Sequence, residues 1–209
     1  MSVMAESRQQ PVERGSDVSW AWPDEDRPLV ADDLLRQPDD NLRYELVDGI
    51  LQVTPAPNNH HQRAATRLTT ILDVACPDEF EVLSGPGVNL AHDLHRIPDI
   101  VVIRSGPARL GFLTERPVLA VEVASQSTRK LDRTTKKREY AAFGIDHYWI
   151  VIPDRDRPSI TAFRRNGKKY EQVALVAGSE TFHATEPFAV GIVPALLVAD
   201  GRAWRSLLH

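Results

Sequence analysis

The sequence predicts an α/β (α+β) protein with a mixed central sheet flanked by helices and extended by β-hairpins. Three observations carry this. Residues 117–125 (PVLAVEVAS) are apolar at almost every position, the pattern of a strand buried on both faces, with no solvent side to alternate toward. Two stretches, one from Asn58 or Asn59 to about 75 and one from about 131 to 143, show helical spacing, and the second lies between that strand and the strand-like run 147–152. Asp48-Gly49 and Asn166-Gly167 each separate two short β-prone runs and are hairpin-turn signals. Helices interleaved with strands in this way call for a layered architecture.

Residues 1–27 mix Ser, Gln, Arg, Glu, Asp and Pro without apolar period and are expected to form a disordered tail. Trp20 and Trp22 are its exceptions and could dock on the body or on a partner. One domain is expected over 28–209. Residues 30–36 read as a short helix stopped by Pro38, followed by strands at 43–48 and 50–54. Asn58 or Asn59 is a suitable N-cap for the next helix, on which His61, Ala65, Leu68 and Leu72 share one face. Strands follow at 80–84, 87–91 and 98–104, then the buried run 117–125. The helix at 131–143 ends at Gly144, a residue suited to the left-handed cap. Strands resume at 147–152, 159–164 and 169–176, and 187–209 has room for one more strand and a terminal helix.

Composition sets the bounds. With 209 residues of which 42% are hydrophobic and 26% charged, the chain can bury a real core and is not disordered throughout. No run of about 18 apolar residues exists, so no membrane span is expected. The N-terminus lacks the apolar stretch of a secretory signal, which points to the cytoplasm. A single cysteine, Cys76, excludes an intramolecular disulfide and a Cys-based zinc cluster. The net charge of −4 gives no general affinity for DNA, but residues 127–170 hold twelve Lys/Arg against five Asp/Glu, a local +7 against −11 for the rest. Such segregation fits either a phosphate-bearing partner or ordinary solvated faces. Within it, Arg155, Arg157, Arg164, Arg165, Lys168 and Lys169 are the leading candidates for phosphate contact.

Two strands each carry one acid among β-branched neighbours: Asp99 in IPDIVVI and Glu122 in LAVEVAS. A buried carboxylate needs a neutraliser, which can be an Arg or Lys, a proton or a metal ion. Two acids on adjacent central strands repel each other unless a shared divalent cation joins them. On the following helix Lys136 shares a stripe with Asp132, Tyr140 and Phe143, so it either points at the sheet or snorkels to water beside Lys137 and Arg138.

The strings RYELVDG (43–49), His61 at a helix start, PDIVV (98–102), VEVASQST (121–128), the spacing Asp132, Lys136, Tyr140, and GIDHYWIV (144–151) resemble the Uma2 family over about residues 29–200. The resemblance implies a restriction-endonuclease-like fold within the PD-(D/E)XK nuclease superfamily. It implies Asp99, Glu122, Lys136 and Glu45 as catalytic residues. Asp99, Glu122, the Val123 carbonyl and Glu45 become candidate ligands of Mg²⁺ or Mn²⁺, which hard oxygen donors suit. His61, Tyr140, Arg133 and Lys137 become candidate substrate contacts. His61 could equally be a satisfied imidazole filling its helix face. Ala124 stands where the superfamily lysine normally follows the acid, and Lys136 takes that role from the next helix; Ile50 and Gln126 also depart from the family pattern. His60 is expected to be exposed, and His92, His95 and His147 have no partner pattern. The implied activity is metal-dependent hydrolysis of DNA phosphodiesters by a homodimeric, cytoplasmic endonuclease that engages no membrane. The rivals are a catalytically silent nucleic-acid-binding or interaction module on the same scaffold, and a phosphohydrolase for small nucleotides.

Overall fold

The computed structural model describes residues 27–38, 40, 42–54, 57–107, 111–124 and 129–208. The expected tail, with Trp20 and Trp22, falls almost entirely outside them, as does Gln126. A 3-10 turn (Ala31–Arg36) leads into β1 (Arg43–Val47) and β2 (Ile50–Thr54), then α1 (Asn59–Ala75). The chain continues through β3 (Phe80–Ser84), β4 (Val88–Ala91), β5 (Leu94–Arg96), β6 (Ile100–Arg104) and β7 (Leu119–Val123). Helix α2 (Arg129–Leu131) runs through a π-helical stretch (Asp132–Lys136) into α3 (Lys137–Phe143), followed by β8 (His147–Ile152), β9 (Ser159–Asn166) and β10 (Lys169–Ala177). Last come β11 (Phe182–Ala184), β12 (Val190–Ile192), α4 (Pro194–Val198) and a 3-10 turn (Ala203–Leu208).

Local chemistry explains the boundaries. Asp48 and Gly49 both take positive φ, 51° and 75°, the geometry of a tight hairpin between β1 and β2. Asn58 caps α1 by accepting the His60 and His61 amides at 3.1 and 3.0 Å. Gly144, at φ 102°, ends α3 in the left-handed region.

The strands form a six-stranded sheet ordered β10-β9-β8-β7-β6-β3, a four-stranded sheet ordered β2-β1-β5-β4, and the pair β11-β12. In the large sheet only β7 and β8 run parallel, and the α2–α3 segment supplies the crossover that a parallel pair requires. The mixed sheet flanked by helices matches the expected class. Every residue of β7 is buried. Val121 and Val123 pack in the core with Leu68 and Leu72 of α1. Ala120 and Ala124 pack with Tyr140 on the α3 side. By the two-residue period of a strand, Glu122 therefore faces α3.

Three details differ from expectation. β5 and β11 were not predicted, because three residues are too few to display alternation. Asp99 sits just ahead of β6 rather than inside it, since Pro98 has no N–H to begin the ladder. The helix expected from 131 begins at Arg129 and contains the wide π turn, a feature often found at functional sites.

The C-terminal segment is clamped by Arg67 of α1. Its guanidinium donates to the carbonyls of Leu196, Leu197, Ala199 and Gly201 at 2.7–3.0 Å and lies 5.6 Å from the centre of the Trp204 ring. Arg67→Met keeps the stem but strands these acceptors, and is expected to lower stability by about 1.5 kcal/mol in urea unfolding. An unchanged midpoint would show that the clamp contributes nothing.

Candidate active site

Acids and bases from several elements, among them Glu45, Asp99 and Glu122 with Arg43, His61, Arg96 and Lys136, meet beside β7. Glu122 accepts two hydrogen bonds on one oxygen, Oε1: from Lys136 Nζ at 2.9 Å and from the Tyr140 hydroxyl at 2.6 Å. Lys136 Nζ also lies 3.3 Å from Glu45 Oε1. The lysine therefore turns inward, and its ammonium joins β1 to β7. Tyr140, four residues on, reaches the same oxygen because i and i+4 share a helix face. Asp132, four residues before Lys136, is buried on that face too, and its backbone carbonyl accepts the Tyr148 hydroxyl at 2.9 Å.

Asp99 closes the other side. Its Oδ1 accepts from Arg43 Nη1 at 2.9 Å, and its Oδ2 from the Val123 amide at 2.8 Å. His61 Nε2 lies 3.0 Å from the same Oδ2; an ionised carboxylate only accepts, so Nε2 carries the proton and donates. His61 Nδ1 is buried without a hydrogen-bond partner among the described residues. Glu45 is held by Arg96 Nη1 at 3.0 Å and by the Ile97 amide at 3.0 Å. Arg96 in turn makes a two-pronged contact with Glu139 of α3 at 2.8 and 2.9 Å.

The electrostatics separate these acids. Burial pushes Asp99 up, but His61, Arg43 and the Val123 amide outweigh it and hold the carboxyl below the usual range. Burial likewise opposes ionisation of Glu45, and Lys136, the Ile97 amide and Arg96 overcome it. Glu122 goes the other way. Burial, opposed by Lys136 and reinforced by the charges of Asp99, Asp132 and Glu45, pushes it up to about 8. One ammonium cannot offset that many acids. Lys136 itself is raised despite burial, because Glu122, Glu45 and Asp132 all favour its charged form.

Among the described residues, no three His, Cys, Asp or Glu side chains form a ready-made metal cage. The donors nevertheless suit a hard divalent ion. Asp99 and Glu122 offer oxygens only, an ion such as Mg²⁺ needs just one or two protein carboxylates and keeps its waters, and Glu122 lies in an excess of negative charge.

A family model described as "Uma2: Putative restriction endonuclease" matches residues 31–199. The chain belongs to the Uma2 family. A solved structure, described as that of "a putative nuclease belonging to DUF820 from Anabaena variabilis ATCC 29413", is similar with a TM-score of 0.65 at 17% identity. The match covers 85% of this chain and 99% of that one, and shows a shared fold. No curated protein matches the chain.

In this Uma2 chain the sequence-derived residues Glu45, His61, Asp99, Glu122, Lys136 and Tyr140 come together. Others do not. Arg133 is exposed, and Lys137 Nζ lies over the Phe163 ring, 3.8 Å from its centre. Glu122 is level with Ile150 of β8, which is level with Thr161 of β9. The Asn166-Gly167 turn is therefore about 16 Å farther along the sheet, away from the acids. That puts Arg164, Arg165, Lys168 and Lys169 toward the opposite end, with Arg165 bonded to Asp146. Arg155 lies at the site's end of β8 but is paired with Asp200.

Sequence reasoning missed Arg43, Arg96 and Glu139. The available signal was an arginine directly before each of two strand motifs, RYELVDG and RIPDIVV, where a buried acid needs a cation. His60 and His92 are exposed, as expected for His60. His95 is fully buried, its Nδ1 bonded to Asn89 at 2.6 Å. No described helix is long and apolar enough to cross a membrane.

Proposed function

We propose that this Uma2 chain is a Mg²⁺- or Mn²⁺-dependent endonuclease that hydrolyses DNA phosphodiester bonds. The observation that supports it most is the convergence of Lys136 with Glu122 and Glu45, at 2.9 and 3.3 Å, beside a β7 whose Val123 amide binds Asp99. Asp99 and Glu122 would hold the ion, with the Val123 carbonyl as a third ligand and Glu45 acting through water. When bound, such an ion polarises a phosphoryl oxygen and makes water more acidic.

The chain's own residues do the remaining work. Lys136 places a fixed positive charge where negative charge grows on the phosphate, or orients the attacking water. Tyr140 and Lys136 fix the Glu122 carboxylate, and His61 with the Val123 amide fixes that of Asp99, so neither must reorient during reaction. Burial keeps bulk water away and strengthens each of these interactions. DNA is the proposed partner, with a homodimer proposed by analogy with folds of this type alone.

Supercoiled plasmid incubated with the wild-type protein and Mn²⁺ should be nicked, and EDTA should stop it. Asp99→Ala should leave the plasmid intact. Equal nicking by the wild-type and Asp99→Ala proteins would overturn the reading. A silent nucleic-acid-binding or interaction module has one observation in its favour: both Asp99 oxygens are already paired with protein donors. It would show salt-dependent DNA binding with no turnover and no heat on Mn²⁺ titration.

A further inference from the structure

Asp99 already accepts from three protein donors before any ion reaches it. Oδ1 is taken by Arg43, and Oδ2 by His61 and the Val123 amide. A cation that binds this carboxylate competes with those donors, and Oδ1, which holds Arg43, is the less crowded oxygen. The Val123 amide is fixed in β7, and the His61 side chain, 11% exposed, is carried on the rigid first turn of α1. Arg43 differs from both. It opens β1, its long side chain is 25% exposed, and its Nη2 donates to the Ile97 carbonyl. The contrast with Arg96 is sharp, since that guanidinium is 0% exposed and gripped by two glutamates.

We propose that Arg43 is an exchangeable phosphate-binding arginine. It neutralises Asp99 in the free protein, and it transfers its guanidinium to a non-bridging oxygen of a DNA phosphodiester when a divalent cation takes Asp99. The driving force is charge. A cation at Asp99 replaces attraction on Arg43 with repulsion, and an arriving phosphodiester offers the planar fork two acceptor oxygens. The exchange rests on the metal-dependent reading above.

The test titrates MnCl₂ into the full-length wild-type, Arg43→Gln and Arg43→Lys proteins by calorimetry. In parallel, fluorescence anisotropy follows a labelled, uncleavable phosphorothioate duplex in Mn²⁺ at several salt concentrations. Removing the competitor should tighten Mn²⁺ binding by about fivefold in Arg43→Gln, the scale of a partly exposed ion pair. The same variant should bind the duplex more weakly, with a log–log salt slope smaller in magnitude by about 0.9, one phosphate contact. Arg43→Lys should fall between the wild type and Arg43→Gln in both assays. If Arg43→Gln does not fold by circular dichroism, Arg43→Lys carries both expectations at smaller size. A merely structural arginine would leave Mn²⁺ affinity unchanged or lower it, and that result, or an unaltered salt slope, overturns the exchange. Flat Mn²⁺ titrations for all three proteins would instead sink the metal-dependent reading, and the exchange with it.

Discussion

Lys136→Met is expected to cut plasmid nicking by at least about 10²-fold, the loss typical of removing one preorganised electrostatic stabiliser. It should also destabilise the fold by about 3 kcal/mol or more above about pH 8, where Glu122 ionises, because it leaves buried acids without their cation. Lys136 contacts Glu122 at 2.9 Å and Glu45 at 3.3 Å, and both acids are buried. Glu45 keeps Arg96, but Glu122 keeps only the Tyr140 hydroxyl among its described donors. The two effects can be separated. Above about pH 8, where Glu122 ionises, Lys136→Met combined with Glu122→Gln removes the stranded charge, so urea unfolding there should recover much of the lost stability while nicking stays absent. Wild-type nicking by a folded Lys136→Met protein would remove the lysine from the chemistry.

The stability of the metal-free protein should fall by about 1.6 kcal/mol between pH 6.5 and pH 8, at up to 1.36 kcal/mol per pH unit for one proton. Glu122 is the cause. Its folded pKa, about 8, lies above its ordinary 4.5, so across that interval the folded state holds a proton that the unfolded state has released. Stability is then greatest below 4.5 and declines as pH rises through about 8.

Below pH 6.5 an opposing slope hides the decline. Burial lowers His95 from 6.5 to about 4, so between those values the folded state binds fewer protons and stability rises with pH. Burial lowers His147 in the same sense. Asp99 and Glu45, both lowered, contribute stability that is present above their unfolded values and lost only as pH falls through the acid range. The fall should therefore emerge above pH 6.5. Glu122→Gln should remove it, and Mn²⁺ should counter it in the wild-type protein by favouring the ionised carboxylate. Urea midpoints measured across this interval check all three statements; a flat wild-type profile would show that Glu122 does not hold its proton.

Much of the architecture was legible locally. The unbroken apolar run around Glu122 announced a strand buried on both faces, the Asn58 cap and the His61–Leu72 stripe announced α1, and Gly144 marked the end of α3. The shared face of Lys136 and Tyr140 was legible from their spacing, because helical periodicity is a property of neighbours in the chain. The arginines were less accessible. Arg96 pairs with Glu45, 51 positions away, and with Glu139, 43 positions away, and nothing in either local pattern singles out those partners. The place of the basic hairpin was not legible either: its composition suggested phosphate contact, and only sheet register set its tip away from the acids.

The amino-acid order by itself determined most of the segments that become strand, helix or turn, and the burial of Asp99 and Glu122, because dihedral preference and hydrophobic period act over a few residues. Only the tertiary structure decided who neutralises them. Strand order sets β5 beside β1 in one sheet and β6 beside β7 in the other, Arg43–Asp99 and Lys136–Glu45 join the two, and the segment leading into α3 presents Lys136 and Tyr140 to one oxygen of Glu122. A buried charge is settled by whatever lies within a few ångströms of it, and that neighbourhood exists only once distant strands have paired.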